Sequence, residues 1–212
     1  MTFTRQQLLH ILSNLTRYKV PDRQTTFKII MMAVQYHKNF KNYVSLDYTP
    51  NSHVYFIGDL HGQYEDMLHI LQIIEDERLQ SPSTPIQLVF LGDVVDRGYR
   101  SLETLLTVLC MQLLWPGRVH LLRGNHETEK ISRIYGFFDE CKRKHASAVV
   151  YLECLQLFQT LPVALILEYK ESAPATEEQE SQSSDITSTT VPPQISMFCK
   201  AEKPVVQSAD AS

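Results

Sequence analysis

The chain has 212 residues, 43% of them apolar, which is enough for one sizeable globular core. Its 20 Lys and Arg against 24 Asp and Glu leave a net charge of −4, which argues against a nucleic-acid footprint. No apolar run reaches the ~18 residues that a membrane span needs, and the amino terminus lacks the basic-then-apolar pattern of a signal peptide. The acidity is local: residues 1–170 carry 18 basic and 17 acidic side chains, so the acidic excess lies beyond residue 170. Cys110, Cys141, Cys154 and Cys199 are widely spaced and mostly set in apolar segments, which reads as reduced buried thiols and a cytoplasmic or nuclear location.

In chain order, Thr4-Arg5-Gln6-Gln7 is a capping box before an amphipathic helix carrying Leu8, Ile11, Leu12 and Leu15. After Pro21, a second helix starts near Asp22, with Phe27, Ile30, Met31 and Val34 on one face, and ends before Pro50. Ser45 to His53 reads as a loop. The apolar runs Val54–Ile57, Ile86–Leu91 and Val119–Leu122 read as strands, separated by helical periodicity over 63–77 and 101–115. That is β-α-β-α-β, and parallel strands would bring the loops after them to one edge. Thr128 to His145 and Ala148 to Gln159 read as further helices, and Leu161 to Tyr169 as a strand. Met31, Met32 and Met67 are expected in the core, and Lys142-Arg143-Lys144 on a solvated helix face.

The three loops carry Gly58-Asp59-Leu60-His61-Gly62, Gly92-Asp93-Val94-Val95-Asp96-Arg97-Gly98 and Arg123-Gly124-Asn125-His126-Glu127. Five of the seven glycines fall in them, as loops bending tightly around something small require. Asp59, His61, Asp93 and Asn125 offer two carboxylates, an imidazole and an amide oxygen, a donor set suited to Mn, Fe or Zn. Asp93, on the middle strand, is placed to bridge two such ions. Arg123 and Glu127 are expected to pair with each other or with backbone beneath the site.

These signatures, in this order and spacing, resemble those of the phosphoprotein phosphatase family of serine/threonine phosphatases, within the calcineurin-like metallophosphoesterases. Residues 134–144, from Ile134-Tyr135-Gly136 to Lys144, resemble the helix after the third signature in the type 1 and type 2A branch. The resemblance implies an α/β fold: a metallophosphoesterase β-sandwich flanked by helices, here with the amino-terminal β-α-β-α-β half present and the carboxyl-terminal half missing. It also implies metal-dependent hydrolysis of phosphoserine and phosphothreonine in proteins. Asp59, His61 and Asp93 would hold one metal, and Asp93 and Asn125 would begin the second. A hydroxide between the metals would attack phosphorus, Arg97 would grip the phosphate, His126 would protonate the leaving oxygen, and Asp96 would orient His126.

The sequence departs from the family after residue 170. Residues 171–194 hold five acidic side chains, many Ser and Thr, and no Lys, Arg or aromatic, which reads as a disordered insertion. Ile195 to Cys199 resembles a returning strand, but Lys200-Ala201-Glu202 stands where the family has His-Gly-Gly, and all eight histidines lie at or before His145. The expected organisation is therefore amino-terminal helices (1–45) packing on the catalytic domain, the metallophosphatase part (46–170), the insertion (171–194), and a remnant strand with a divergent tail (195–212). The second metal site is expected to be incomplete and activity weak or absent. The alternatives are a catalytically impaired relative acting as a binding protein and a nucleotide-directed metallophosphoesterase. Phosphoproteins are the expected substrates, with regulatory subunits as further partners.

Overall fold

The computed structural model describes residues 2–39 and 41–170. Two helices open the chain. In α1 (Arg5–Leu15) the capping box at Thr4 is formed in both directions, and Leu8, Ile11, Leu12 and Leu15 turn inward. In α2 (Arg23–His37) the Asp22 carboxylate caps the amino end by accepting from Gln24 and Thr25 N–H. The helix stops at His37, well before Pro50.

The loop expected from Ser45 to His53 is mostly strand: β1 spans Tyr43–Tyr48. Val44 and Leu46 are buried while Tyr43, Ser45 and Asp47 face out, the period-two alternation of a half-buried strand. Only the turn at Thr49–Ser52, closed by the Ser52 hydroxyl, behaves as a loop. Next come β2 (His53–Ile57), α3 (Tyr64–Gln80), β3 (Ile86–Phe90), α4 (Ser101–Leu114) and β4 (Val119–Leu121). The three strands pair in parallel in the order β2-β3-β4, as the β-α-β-α-β reading requires. β3 is central, and apart from half-buried Gln87 its residues are buried, which explains its mostly apolar run.

The helix expected over 128–145 is two: α5 (Glu129–Ser132) and α6 (Phe137–His145). They are separated by a turn in which Gly136 takes φ +117°, a conformation an L side chain rarely adopts. The chain then forms α7 (Val149–Thr160) and β5 (Ala164–Tyr169), which pairs in parallel with β1 in a second, two-stranded sheet.

The main core lies between the helices and one face of β2-β3-β4, and α4 is its axis: every residue of α4 except Leu113 is buried. Both α1 and α2 pack on α4, and α2 also packs on α7, so the amino-terminal helices rest on other helices. Leu88 and Phe90 point into this core. Val89, facing the other way, joins Leu46 and Leu122 between the two sheets. Met67 belongs to the core, but Met31 and Met32 are only half-buried and line an outward groove with Phe27 and Tyr36, contrary to expectation. Lys144 is likewise no solvated face: its ammonium is held by Glu103, Glu140 and the Tyr99 carbonyl. Cys110, Cys141 and Cys154 are buried free thiols, and burial pushes Cys110 up to about 12. The readings for 171–212, including Cys199, lie outside the described residues. No helix of the described residues is long and apolar enough to cross a membrane.

Candidate active site

Because β2, β3 and β4 are parallel, the loops after them share one edge of the sheet. The backbone stitches them together. Leu60 and His61 N–H both donate to the Asp93 carbonyl (3.1 and 2.9 Å), Gly62 N–H donates to Val94 (3.0 Å), and Gly98 N–H donates to His61 (2.8 Å). The second and third loops meet at Gly92 and Gly124. A Cβ on Gly92, whose φ is +105°, would fall into the Gly124 backbone, and one on Gly124 would overlap Asp93. These glycines let the loops press on each other, a reason additional to curvature within a single loop.

Glu127 completes the join from below. Its fully buried carboxylate accepts from Asp93 N–H (2.8 Å), Val94 N–H (3.0 Å) and Gly124 N–H (2.9 Å). Burial pushes this carboxyl above its usual range, with nearby Asp93 acting in the same direction, while the three N–H groups favour the ionised form. Arg123 donates through Nε to the Glu127 carbonyl (3.1 Å), so both residues bond backbone, one of the two arrangements expected for them.

Within this frame the side chains converge. One ligating atom each from His61, Asp93 and His126 lie within 4.8 Å of one another. His61 places Nδ1 3.0 Å from the Val95 carbonyl, which assigns the proton to Nδ1 and leaves the Nε2 lone pair for the site. Asp59 is exposed on the rim, with an oxygen 3.7 Å from His61 Nε2, outside the tight trio. Asn125 is exposed on the third loop beside His126. Asp93 also accepts from His126 N–H (2.8 Å), which fixes the carboxylate against the third loop.

His126 and Asp96 form a buried pair, Nδ1 to Oδ2 at 2.7 Å. The other Asp96 oxygen accepts from Phe137 N–H at the start of α6 (3.0 Å), and Asp96 N–H donates to the Ser101 hydroxyl. Arg97 is exposed, with Nη2 3.5 Å from His126 Nε2. His61, Asp93, Asp96 and Arg97 all adopt left-handed φ (45°, 49°, 74° and 66°). Each such residue costs about 1–3 kcal/mol, a strain held in place by the bonds just described.

The helix expected over 128–145 would include Tyr135. This residue lies instead in the turn before α6, where its ring stands 5.3 Å from that of His126, the Arg97 guanidinium lies over it at 6.0 Å, and its carbonyl accepts from Arg97 N–H. Gly136, which cannot continue a regular helix cheaply, was the available signal.

The donor set suits a divalent cation: two imidazoles and a carboxylate within reach of one another, with at least one imidazole fixed in the ligating tautomer. The sequence profile of the calcineurin-like phosphoesterase family matches residues 52–195. The chain belongs to that family. Within the family it falls in the phosphoprotein phosphatase branch. It is 36% identical over 167 residues to the serine/threonine-protein phosphatase 4 catalytic subunit of Kluyveromyces lactis, covering 77% of this chain and 50% of that one. It is 40% identical over 116 residues to the serine/threonine-protein phosphatase PP1-1 of Saccharomyces cerevisiae, covering 53% and 35%. Among solved structures, a Saccharomyces cerevisiae serine/threonine phosphatase described as similar to human phosphatase PP5 superposes with a TM-score of 0.67 at 28% identity, over 78% of this chain and 51% of that one. The chain thus spans about half or less of the length of these phosphoesterase relatives.

Proposed function

We propose that this site hydrolyses phosphoserine and phosphothreonine esters in proteins with the help of divalent cations. The observation that carries this reading is the juxtaposition of the cation-suited trio His61, Asp93 and His126 with the buried His126–Asp96 pair and exposed Arg97. Asp59, His61 and Asp93 are assigned to one cation, and Asp93 and Asn125 to a second. Bound there, divalent Mn, Fe or Zn would supply Lewis-acid neutralisation of the phosphate and a lower pKa for the attacking water.

The chain's own residues account for the remainder. Arg97 presents its planar guanidinium to phosphate oxygens. His126 delivers a proton from Nε2 to the departing serine or threonine oxygen, which would otherwise leave as an alkoxide. Asp96, bonded to Nδ1, holds the ring in that orientation and stabilises it when doubly protonated. The membership of His126 in the trio sets a condition on this role: its Nε2 must remain available to the leaving group, leaving the cation to Asp59, His61 and Asp93. Regulatory subunits are proposed as partners on the same family grounds.

A second reading, an impaired relative that binds phosphoproteins without turnover, is favoured by the exposure of Asp59 outside the His61, Asp93 and His126 trio. The deciding experiment measures phosphate release from a phosphoserine peptide by the full chain with Mn²⁺. Release that falls about 10²–10⁴-fold in His126→Ala supports hydrolysis. Peptide binding with no release supports the second reading.

A further inference from the structure

Beside the first and second loops lies an open cleft of about 430 Å³, lined by Gly62, Gln63, Glu65, Tyr99, Arg100 and Lys144. Its most unusual member is Tyr99, two residues beyond Arg97 and 85% exposed. An exposed tyrosine on a mobile loop means little, but this backbone is pinned on both sides. Gly98 N–H donates to the His61 carbonyl (2.8 Å), and a Cβ at Gly98 would run into His61 and Gly62, so the two loops are in backbone contact there. On the other side Lys144 Nζ donates to the Tyr99 carbonyl (3.2 Å). A ring held out to solvent from a fixed backbone brings contact area at little loss of freedom.

The charged groups around it are already compensated. Lys144 sits between the buried carboxylates of Glu103 and Glu140. Arg100 pairs with Glu65 (2.9 Å) and lies over the Tyr18 ring (4.1 Å), with Glu103 at 3.7 Å. The lining therefore offers no unpaired cation or carboxylate to select a charged side chain. There remains an aromatic face, with the exposed Gln63 amide as a polar neighbour.

We propose that this cleft takes the substrate polypeptide on one flank of the phosphorylated residue, with Tyr99 as the platform for a large apolar or aromatic side chain. The proposal builds on the reading of the site as a phosphoprotein hydrolase and adds its sequence preference. It is tested with the full chain and Mn²⁺ on phosphoserine peptides that carry Leu, Phe, Lys or Gly at each of the two positions on either side of the phosphoserine. The wild-type chain should prefer Leu or Phe over Gly by about tenfold in kcat/KM at one flank, chiefly through KM. That corresponds to about 1.4 kcal/mol, the scale of one partly buried apolar side chain. Tyr99→Ala should bring the Leu-to-Gly ratio to about one, and Tyr99→Phe should keep it.

No preference in the wild type, a preference that survives Tyr99→Ala, or a preference for Lys would overturn the proposal. Hydrolysis of p-nitrophenyl phosphate, too small to span the cleft, tests the underlying reaction separately. Where neither substrate turns over, the hydrolase reading fails. Fluorescence anisotropy of the same labelled peptides then decides the cleft: a tenfold Leu-over-Gly difference in Kd lost in Tyr99→Ala supports it, and equal Kd values overturn it.

Discussion

Among the described residues, the two sheets of this molecule are finished to different degrees. At the carboxyl edge of β2-β3-β4, four left-handed residues and a set of backbone contacts are locked by Glu127, Asp96 and Ser101. The β1-β5 pair has two strands among the described residues, and β5 leaves Ile166, Leu167 and Tyr169 exposed, with Val163 exposed just before it. The contrast teaches that the rim is held mainly by its own backbone and by the helices beneath it. The second sheet touches it through a small cluster, Leu46, Val89 and Leu122, and through Arg123 N–H donating to the Pro162 carbonyl.

Changes at the rim should therefore be felt far more than changes on β5. The largest effect is expected for Glu127→Ala, which strips the acceptor from three backbone N–H groups. At about 1–3 kcal/mol for each buried group left unsatisfied, the loss should be about 4 kcal/mol or more, read as a shifted urea midpoint. A loss below about 1 kcal/mol would show that the rim is held by something else.

Next comes acid sensitivity, which lies away from both regions, between α2 and α4. His37, 3% exposed on α2 and bonded to Gln112 at 3.2 Å, is pushed down to about 4, mainly by burial, with nearby His120 acting in the same direction. The unfolded chain takes up this proton first. Stability should be full above pH ~6.5 and fall, by about 3 kcal/mol in all, as pH drops through about 4. Denaturation at pH 7 and pH 4.5 should show the slope, and His37→Gln should flatten it.

The smallest effect belongs to β5. Ile166→Thr on its exposed face should change stability by less than about 0.5 kcal/mol while reducing self-association in light scattering. A large loss of stability there would mean that the face is covered in the folded protein.

Much of the rim was legible in the sequence because its signals are local. An apolar run leading into a glycine-bounded polar signature marks a strand and the loop after it, and parallel pairing does the rest. The side-chain set Asp59, His61, Asp93, Asp96, Arg97, Asn125 and His126 was readable as residue types. That His126 approaches His61 and Asp93 closely enough to join their cluster was not, because it depends on how three loops pack. β1 was missed although Tyr43 to Tyr48 alternates correctly, because Ser45 and Asp47 with Pro50 and Asn51 downstream read as turn chemistry; the pairing with β5, more than a hundred residues away, decided the outcome. The left-handed residues left no mark either, since Asp, His and Arg occur in every conformation and only tertiary bonds force this one.

If loops from three strands build a cation site before any substrate arrives, calorimetric titration of the full chain with Mn²⁺ will show it most directly. Saturable binding that weakens at least tenfold in Asp93→Asn, with the fold intact by circular dichroism, is the predicted result. Absence of binding, or binding indifferent to both Asp93→Asn and His61→Gln, would contradict it.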